Sequence, residues 1–168
     1  FVVFYQPQYD HTTGALVGAE ALVRWNHPEK GLISPGIFIP IFEKNGFITK
    51  LDLCVFEEVC IFLRKCIDKN MNVVPISTNF SRHDIFQPDF ISRLEGIREK
   101  YNIPAEYLRV EITESAITGT GMQANEIVRK LHNCGYVVEM DDFGSGYSSL
   151  NVLKDIELDI IKLDMLFL

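Results

Sequence analysis

The sequence predicts an α/β fold: a parallel sheet with crossover helices, entered through an antiparallel hairpin. Three observations carry this. Residues 1–25 divide at a turn into two β-rich stretches, and beyond residue 70 short β-branched runs alternate with longer amphipathic ones. Each strand-like run also places a polar residue near its carboxyl end, where a parallel sheet gathers its functional groups.

Residues 1–9 read as the first strand, Asp10-His11-Thr12-Thr13-Gly14 as a turn and residues 15–25 as the returning strand. The two-residue period puts Glu20, Leu22 and Arg24 on one face and Ala21, Val23 and Trp25 on the other. Ser34-Pro35, Pro40 and Gly46 bracket a short helix. Thr49 and Asp52 have the spacing of a capping box, so a long helix is expected from there to about residue 69, with Leu51, Val55, Phe56, Val59, Phe62, Leu63 and Ile67 toward the core. Strands follow at 73–80, 107–113, 136–141 and 158–163. Helices are expected at 88–101, 122–134 and 148–154.

The 168 residues make one domain, and 47% hydrophobic content is ample for one core. A net charge of −7 argues against a nucleic-acid polymer as partner, because such surfaces need a basic patch. Cys54, Cys60, Cys66 and Cys134 lack zinc-type spacing, and buried, reduced thiols of a cytoplasmic protein are expected. No apolar run is long enough to span a bilayer. The chain opens on Phe1 and closes at Leu168 inside an apolar run, so a piece of a longer protein is expected.

The chemistry is concentrated in Val137-Val138-Glu139-Met140-Asp141-Asp142-Phe143-Gly144, where a buried strand delivers two adjacent carboxylates into a glycine-flanked turn. Adjacent acids repel, and a divalent cation removes the conflict; a solvated acidic loop is the plain alternative. Asp142-Phe143-Gly144 also occurs in protein kinases, but no His-Arg-Asp loop precedes it here. Glu20, Asn79, Glu111, Asp141 and Lys162 would converge at one end of a parallel barrel. Burying such carboxylates uncompensated costs several kcal/mol each, of order. Their all-oxygen donor set favours Mg2+ or Mn2+ over zinc. His11, His27, His83 and His132 have no ligand spacing.

Tyr5-Gln6-Pro7, Gly18 through Trp25, Ser34-Pro35 with Phe38-Ile39-Pro40, Asn79, Glu111-Ile112-Thr113-Glu114, Asp141 through Leu150 and Lys162-Leu163-Asp164 together resemble an EAL-domain cyclic di-GMP phosphodiesterase. The likeness covers nearly the whole chain in order, and Glu20-Ala21-Leu22 is the triplet that names the family. It implies a TIM-type (β/α)8 barrel with an antiparallel first strand. It also implies that Glu20, Asn79, Glu111, Asp141 and Asp142 hold a two-metal site, Asp141 bridging the ions. Glu114 would brace the loop after the fifth strand, Gln6, Leu22 and Arg24 would contact the dinucleotide, and Lys162 would stand beside the attacking water. The catalytic set so implied is Glu20, Asp141 and Lys162, and the product is linear pGpG.

Ser145, Phe80 and Leu163 depart mildly from the family pattern. The family's further glutamate and glutamine lie past Leu168, so the resemblance implies that residues 1–168 are a C-terminally incomplete barrel. It further implies attached sensory or diguanylate-cyclase domains, a possible homodimer, and a place in the cytoplasm or on the cytoplasmic membrane face. An inactive receptor that holds cyclic di-GMP without cutting it is the competing expectation.

Overall fold

A computed structural model describes residues 1–144 and 156–165. Strand β1 (Val2–Tyr9) pairs antiparallel with β2 (Leu16–His27), setting Gln6 opposite Glu20 and Phe4 opposite Leu22. The turn between them closes on Asp10, whose Oδ1 accepts the Thr13 N–H at 2.7 Å. A short strand absent from the sequence reading, β3 (Gly31–Ile33), folds back on the far end of β2. Helix α1 (Pro35–Asn45) carries Pro40 in its interior and ends at left-handed Gly46. Phe38, Phe42, Phe1 and Trp25 pack there in tilted and edge-on ring contacts.

Helix α2 (Ile48–Asp68) begins one residue before Thr49 and has no side-chain cap. The expected capping box is therefore corrected. Asp52 lies a turn inside the helix, where it accepts the Ser81 N–H at 3.1 Å. A true capping box forms instead at α3 (Arg82–Ile85), between Ser81 and Asp84. Strand β4 (Ile76–Asn79) is shorter than the expected 73–80. Then follow α4 (Phe90–Lys100), a single 3-10 turn (Ala105–Tyr107), β5 (Leu108–Thr113), α5 (Glu114–Ile117), α6 (Gly121–Asn133), β6 (Val137–Phe143) and β7 (Ile160–Leu163). The helix expected at 148–154 lies outside the described residues. Of the cysteines, Cys60 and Cys66 are buried, but Cys54 is exposed, because α2 turns that position outward; all four are free thiols.

The sheet runs β1-β2-β4-β5-β6-β7, parallel from β2 onward, with β3 pairing β2 off this path. It is a mixed α/β half-barrel, an incomplete version of the predicted architecture. Its outer face carries Ala21, Ile76, Val110, Ile112, Val138 and Met140, all buried with Leu51, Val55, Phe56, Val59 and Leu63 of α2 and Val128 and Leu131 of α6. Each large apolar side chain buried there contributes about 1.5–3 kcal/mol. The alternate positions face inward and are polar: Glu20, Ser77, Asn79, Arg109, Glu111, Glu139 and Asp141. Core packing is thus assigned to one face, which leaves the other for chemistry.

Candidate active site

The two-residue period stacks the inward polar groups in register. Glu20 pairs with Ser77, Asn79 with Glu111, and Glu111 with Glu139 across neighbouring strands. At the centre lies Lys162, brought in by β7. Its Nζ donates to Glu20 Oε2 at 2.8 Å and lies 2.5 Å from Glu111 Oε1. Asn79 Nδ2 donates to the other Glu20 oxygen at 3.1 Å. Glu20, Asn79, Glu111 and Lys162 therefore form one connected cluster from four strands.

Glu111 is fully buried, and among the described residues neither of its oxygens has a well-aligned hydrogen-bond donor. The Lys162 contact is close but off-axis, so it acts as charge neutralisation more than as a directed bond. Burial pushes the Glu111 carboxyl up to about 8, against the lowering pull of Lys162. Burial also works to lower Lys162, but its ion pairs with Glu111 and Glu20 outweigh this and hold the ammonium above its ordinary value.

Asp141 and Asp142 stand at an irregularity in β6, where the register with β7 shifts between Met140 and Phe143. The expected strand end at Asp141 is corrected: the strand runs on through Asp142, whose φ is a left-handed 55°, to Phe143, where pairing with Leu163 of β7 resumes. Asp tolerates that conformation better than most residues, and a bulge is a common way to re-aim side chains beside a site. Burial raises the Asp142 carboxyl, with further upward pressure from Asp141, Asp164 and Glu20.

A cleft of about 550 Å³ opens beside this cluster, lined among others by Leu22, Arg24, Asn79, Arg82, Asp141 and Asp142. That size suits a small organic ligand. One part of its lining is acidic and another carries two guanidinium groups. Asn79 links cleft and cluster, since it lines the one and donates to Glu20 in the other. Gln6 is exposed across from Glu20 and is not part of the cleft wall. Arg24 donates through Nη1 to the Val23 carbonyl at 2.9 Å. Glu114 is buried, and its Oε2 accepts the Gly144 N–H at 3.0 Å. Among the described residues, no group of three or more His, Cys, Asp or Glu side chains closes on a single metal position.

The EAL domain profile matches residues 1–168, the whole chain. The chain belongs to the EAL domain family. This EAL domain is 35% identical over 166 residues to the probable cyclic di-GMP phosphodiesterase PdeG of Escherichia coli, covering 99% of this chain and 33% of PdeG. It is 32% identical over 167 residues to the bifunctional diguanylate cyclase/cyclic di-GMP phosphodiesterase MucR of Pseudomonas aeruginosa, covering 99% of this chain and 24% of MucR. The chain thus spans a third or less of these two relatives. The solved structure of PaMucR phosphodiesterase in complex with c-di-GMP superposes with a TM-score of 0.91 at 32% identity, over 97% of this chain and 66% of that one.

Sequence reasoning about this EAL domain singled out the carboxyl ends of the strands and missed the layer beneath. Ser77, Arg109 and Glu139 each lie two residues before Asn79, Glu111 and Asp141, on the same face. The period that placed the upper residues puts the lower ones on the same face, but it carries no signal that marks them as partners of one another. It also missed Arg82 and His83, which reach the cleft from α3. A short helix after β4 leaves no periodic signal.

Proposed function

We propose that this EAL domain hydrolyses cyclic di-GMP to linear pGpG with the help of Mg2+ or Mn2+. The observation that carries the reading is the junction at Asn79 between an oxygen-rich cluster and a cleft bearing two arginines. A cyclic dinucleotide presents two phosphodiesters, and guanidinium groups of Arg24 and Arg82 suit phosphate oxygens as charge-assisted donors. The names of PdeG and of the c-di-GMP-bound MucR phosphodiesterase support the substrate, and favour the hydrolase over the inactive receptor.

The donor chemistry fits a hard divalent ion. Among the described residues the Glu111 oxygens have no directed partner, the surrounding groups are carboxylates and an amide, and the cluster already draws in a cation, the Lys162 ammonium. Glu20, Asn79, Glu111, Asp141 and Asp142 would hold the metal, in a site with donors enough for two ions. Bound there, the metal supplies the positive charge that makes water acidic near neutral pH and steadies the developing phosphate charge.

The protein's own groups do the rest. Leu22 and Arg24, adjoining on the cleft wall, seat the dinucleotide, and Gln6 approaches it from β1. Lys162 orients the water whose oxygen forms the new P–O bond while that water gives up a proton; the P–O bond to the ribose oxygen breaks, and the departing oxygen takes up a proton from solvent. Glu114 fixes the turn after Asp142 through the Gly144 N–H. MucR's bifunctional name supports a setting in which such a domain works beside a signalling partner domain. We place this one at the cytoplasmic side, with sensory or cyclase domains attached and paired as a homodimer. No described helix is long and apolar enough to cross a membrane.

The test is to incubate the natural full-length protein with cyclic di-GMP and either metal and to resolve products by chromatography. Metal-dependent appearance of pGpG is expected. Tight binding without any product would replace the hydrolase by the receptor.

A further inference from the structure

Beneath the cluster lies a carboxylate that the hydrolytic reading leaves unused. Glu139 is fully buried, and its two oxygens face different ways. Oε1 accepts Arg109 Nη1 at 2.9 Å. Oε2 accepts the Ser77 hydroxyl at 2.7 Å and faces Lys162 Nζ at 4.0 Å. Arg109 is itself anchored to β1 and β2, through Gln8 Oε1 at 3.2 Å and the Val17 carbonyl at 3.1 Å. Gly18 makes this approach possible, since a Cβ there would stand 2.6 Å from Gln8 Oε1 and 3.0 Å from Arg109 Nη1.

We propose that Glu139 is a positioning residue that holds the Lys162 ammonium in place between Glu20 and Glu111, itself clamped by Arg109 and Ser77. The inference rests on the hydrolytic reading for its catalytic consequence, and on geometry alone for the placement. If Glu139 served only to neutralise Arg109, the strongest arrangement would be the two-pronged pair of both carboxylate oxygens with both guanidinium prongs. Arg109 instead takes one oxygen and turns its other prong to the Val17 carbonyl. The second Glu139 oxygen is left for Ser77 and Lys162. In this poorly solvated interior a charge at 4.0 Å still acts strongly, even though it is too far for a hydrogen bond. The floor thereby ties β1 and β2 to β7 across the sheet.

The experiment uses Glu139→Gln, the double variant Arg109→Gln/Glu139→Gln, and Lys162→Met, in the natural full-length protein. Glu139→Gln is expected to lower kcat about tenfold with KM within about twofold, as for outer groups that orient a catalytic side chain. The double variant leaves no unpaired charge on the floor. It should regain the parent's melting temperature while kcat stays low. In a Lys162→Met background, Glu139→Gln should cost nothing further. Recovery of kcat together with melting temperature in the double variant, or an undiminished kcat in Glu139→Gln, would overturn the proposal. A second readout needs no turnover: in protein labelled at lysine Cε, the NMR signal that Lys162→Met deletes should shift in Glu139→Gln. An unmoved signal rejects the placement. Absence of pGpG from the parent rejects only the hydrolytic reading.

Discussion

At the residue scale, the cluster predicts different failures for neighbouring side chains. Glu20 binds Asn79 with one oxygen and Lys162 with the other, so Glu20→Ala removes a metal donor and releases both partners. pGpG formation should fall by at least about a hundredfold. Activity within threefold of the parent, by order of magnitude, would remove Glu20 from the site. Lys162→Ala should reduce kcat but leave the dinucleotide's Kd, measured by calorimetry, largely unchanged, because Lys162 faces carboxylates rather than the cleft wall. Arg24→Lys keeps a charge on the cleft wall but loses the planar fork, and binding should weaken about tenfold. An unchanged Kd would show that Arg24 offers only diffuse charge. The upper residues were legible in the sequence because acids and amides at strand ends are anomalous by their chemistry. Glu139 was not singled out, although it lies in the same run, because one more carboxylate beside Asp141 and Asp142 carries no signal until Arg109 is seen to face it.

At the scale of elements, the strands and long helices were legible because the outer face must be apolar at fixed periods, and Val110, Ile112, Val138 and Met140 obey that rule. Local boundaries were less so. Thr49 and Asp52 have the spacing of a cap, but α2 starts earlier and buries Asp52 against Ser81 and Asp84, a tertiary contact that overrides the local signal. Burial raises the Asp52 carboxyl well above its ordinary range, and the Asp84 carboxylate beside it adds to the shift. The sign follows: a carboxyl with a raised folded value binds its proton more tightly folded than unfolded. Its contribution to stability is complete below the unfolded value of about 4 and is lost as pH rises through the folded one. Asp52→Asn supplies a neutral group that can still accept the Ser81 N–H and donate to Asp84. Urea unfolding should therefore show a shallower decline in stability as pH rises above about 4 for Asp52→Asn than for the parent. Identical slopes would mean that Asp52 is charged in the folded protein.

At the scale of the whole molecule, the half-barrel has two edges. Among the described residues, β1 pairs only with β2 and β7 pairs only with β6. Both edges are apolar and open: Phe4 is 50% exposed on one and Leu163 50% on the other. An unpaired strand presents a row of free N–H and C=O groups, and apolar side chains beside that row favour pairing with another copy. The net charge of −7 opposes association, but it is spread over the surface, whereas β1 holds no charged residue from Val2 to Tyr9. The edge should prevail at high protein concentration, because salt screens dispersed charge within about 10 Å and leaves apolar contact untouched. The 168-residue chain is thus expected to self-associate, more strongly as salt is added, in light-scattering measurements across a concentration series. Phe4→Lys places a charge on the open edge without touching the buried outer face, and should shift the population toward monomer with little change in melting temperature. If the parent chain stays monomeric at every concentration and salt level, the β1 edge is protected in a way its sequence does not show. If Phe4→Lys leaves association intact, the contact runs through β7 and its exposed Ile161 and Leu163 instead.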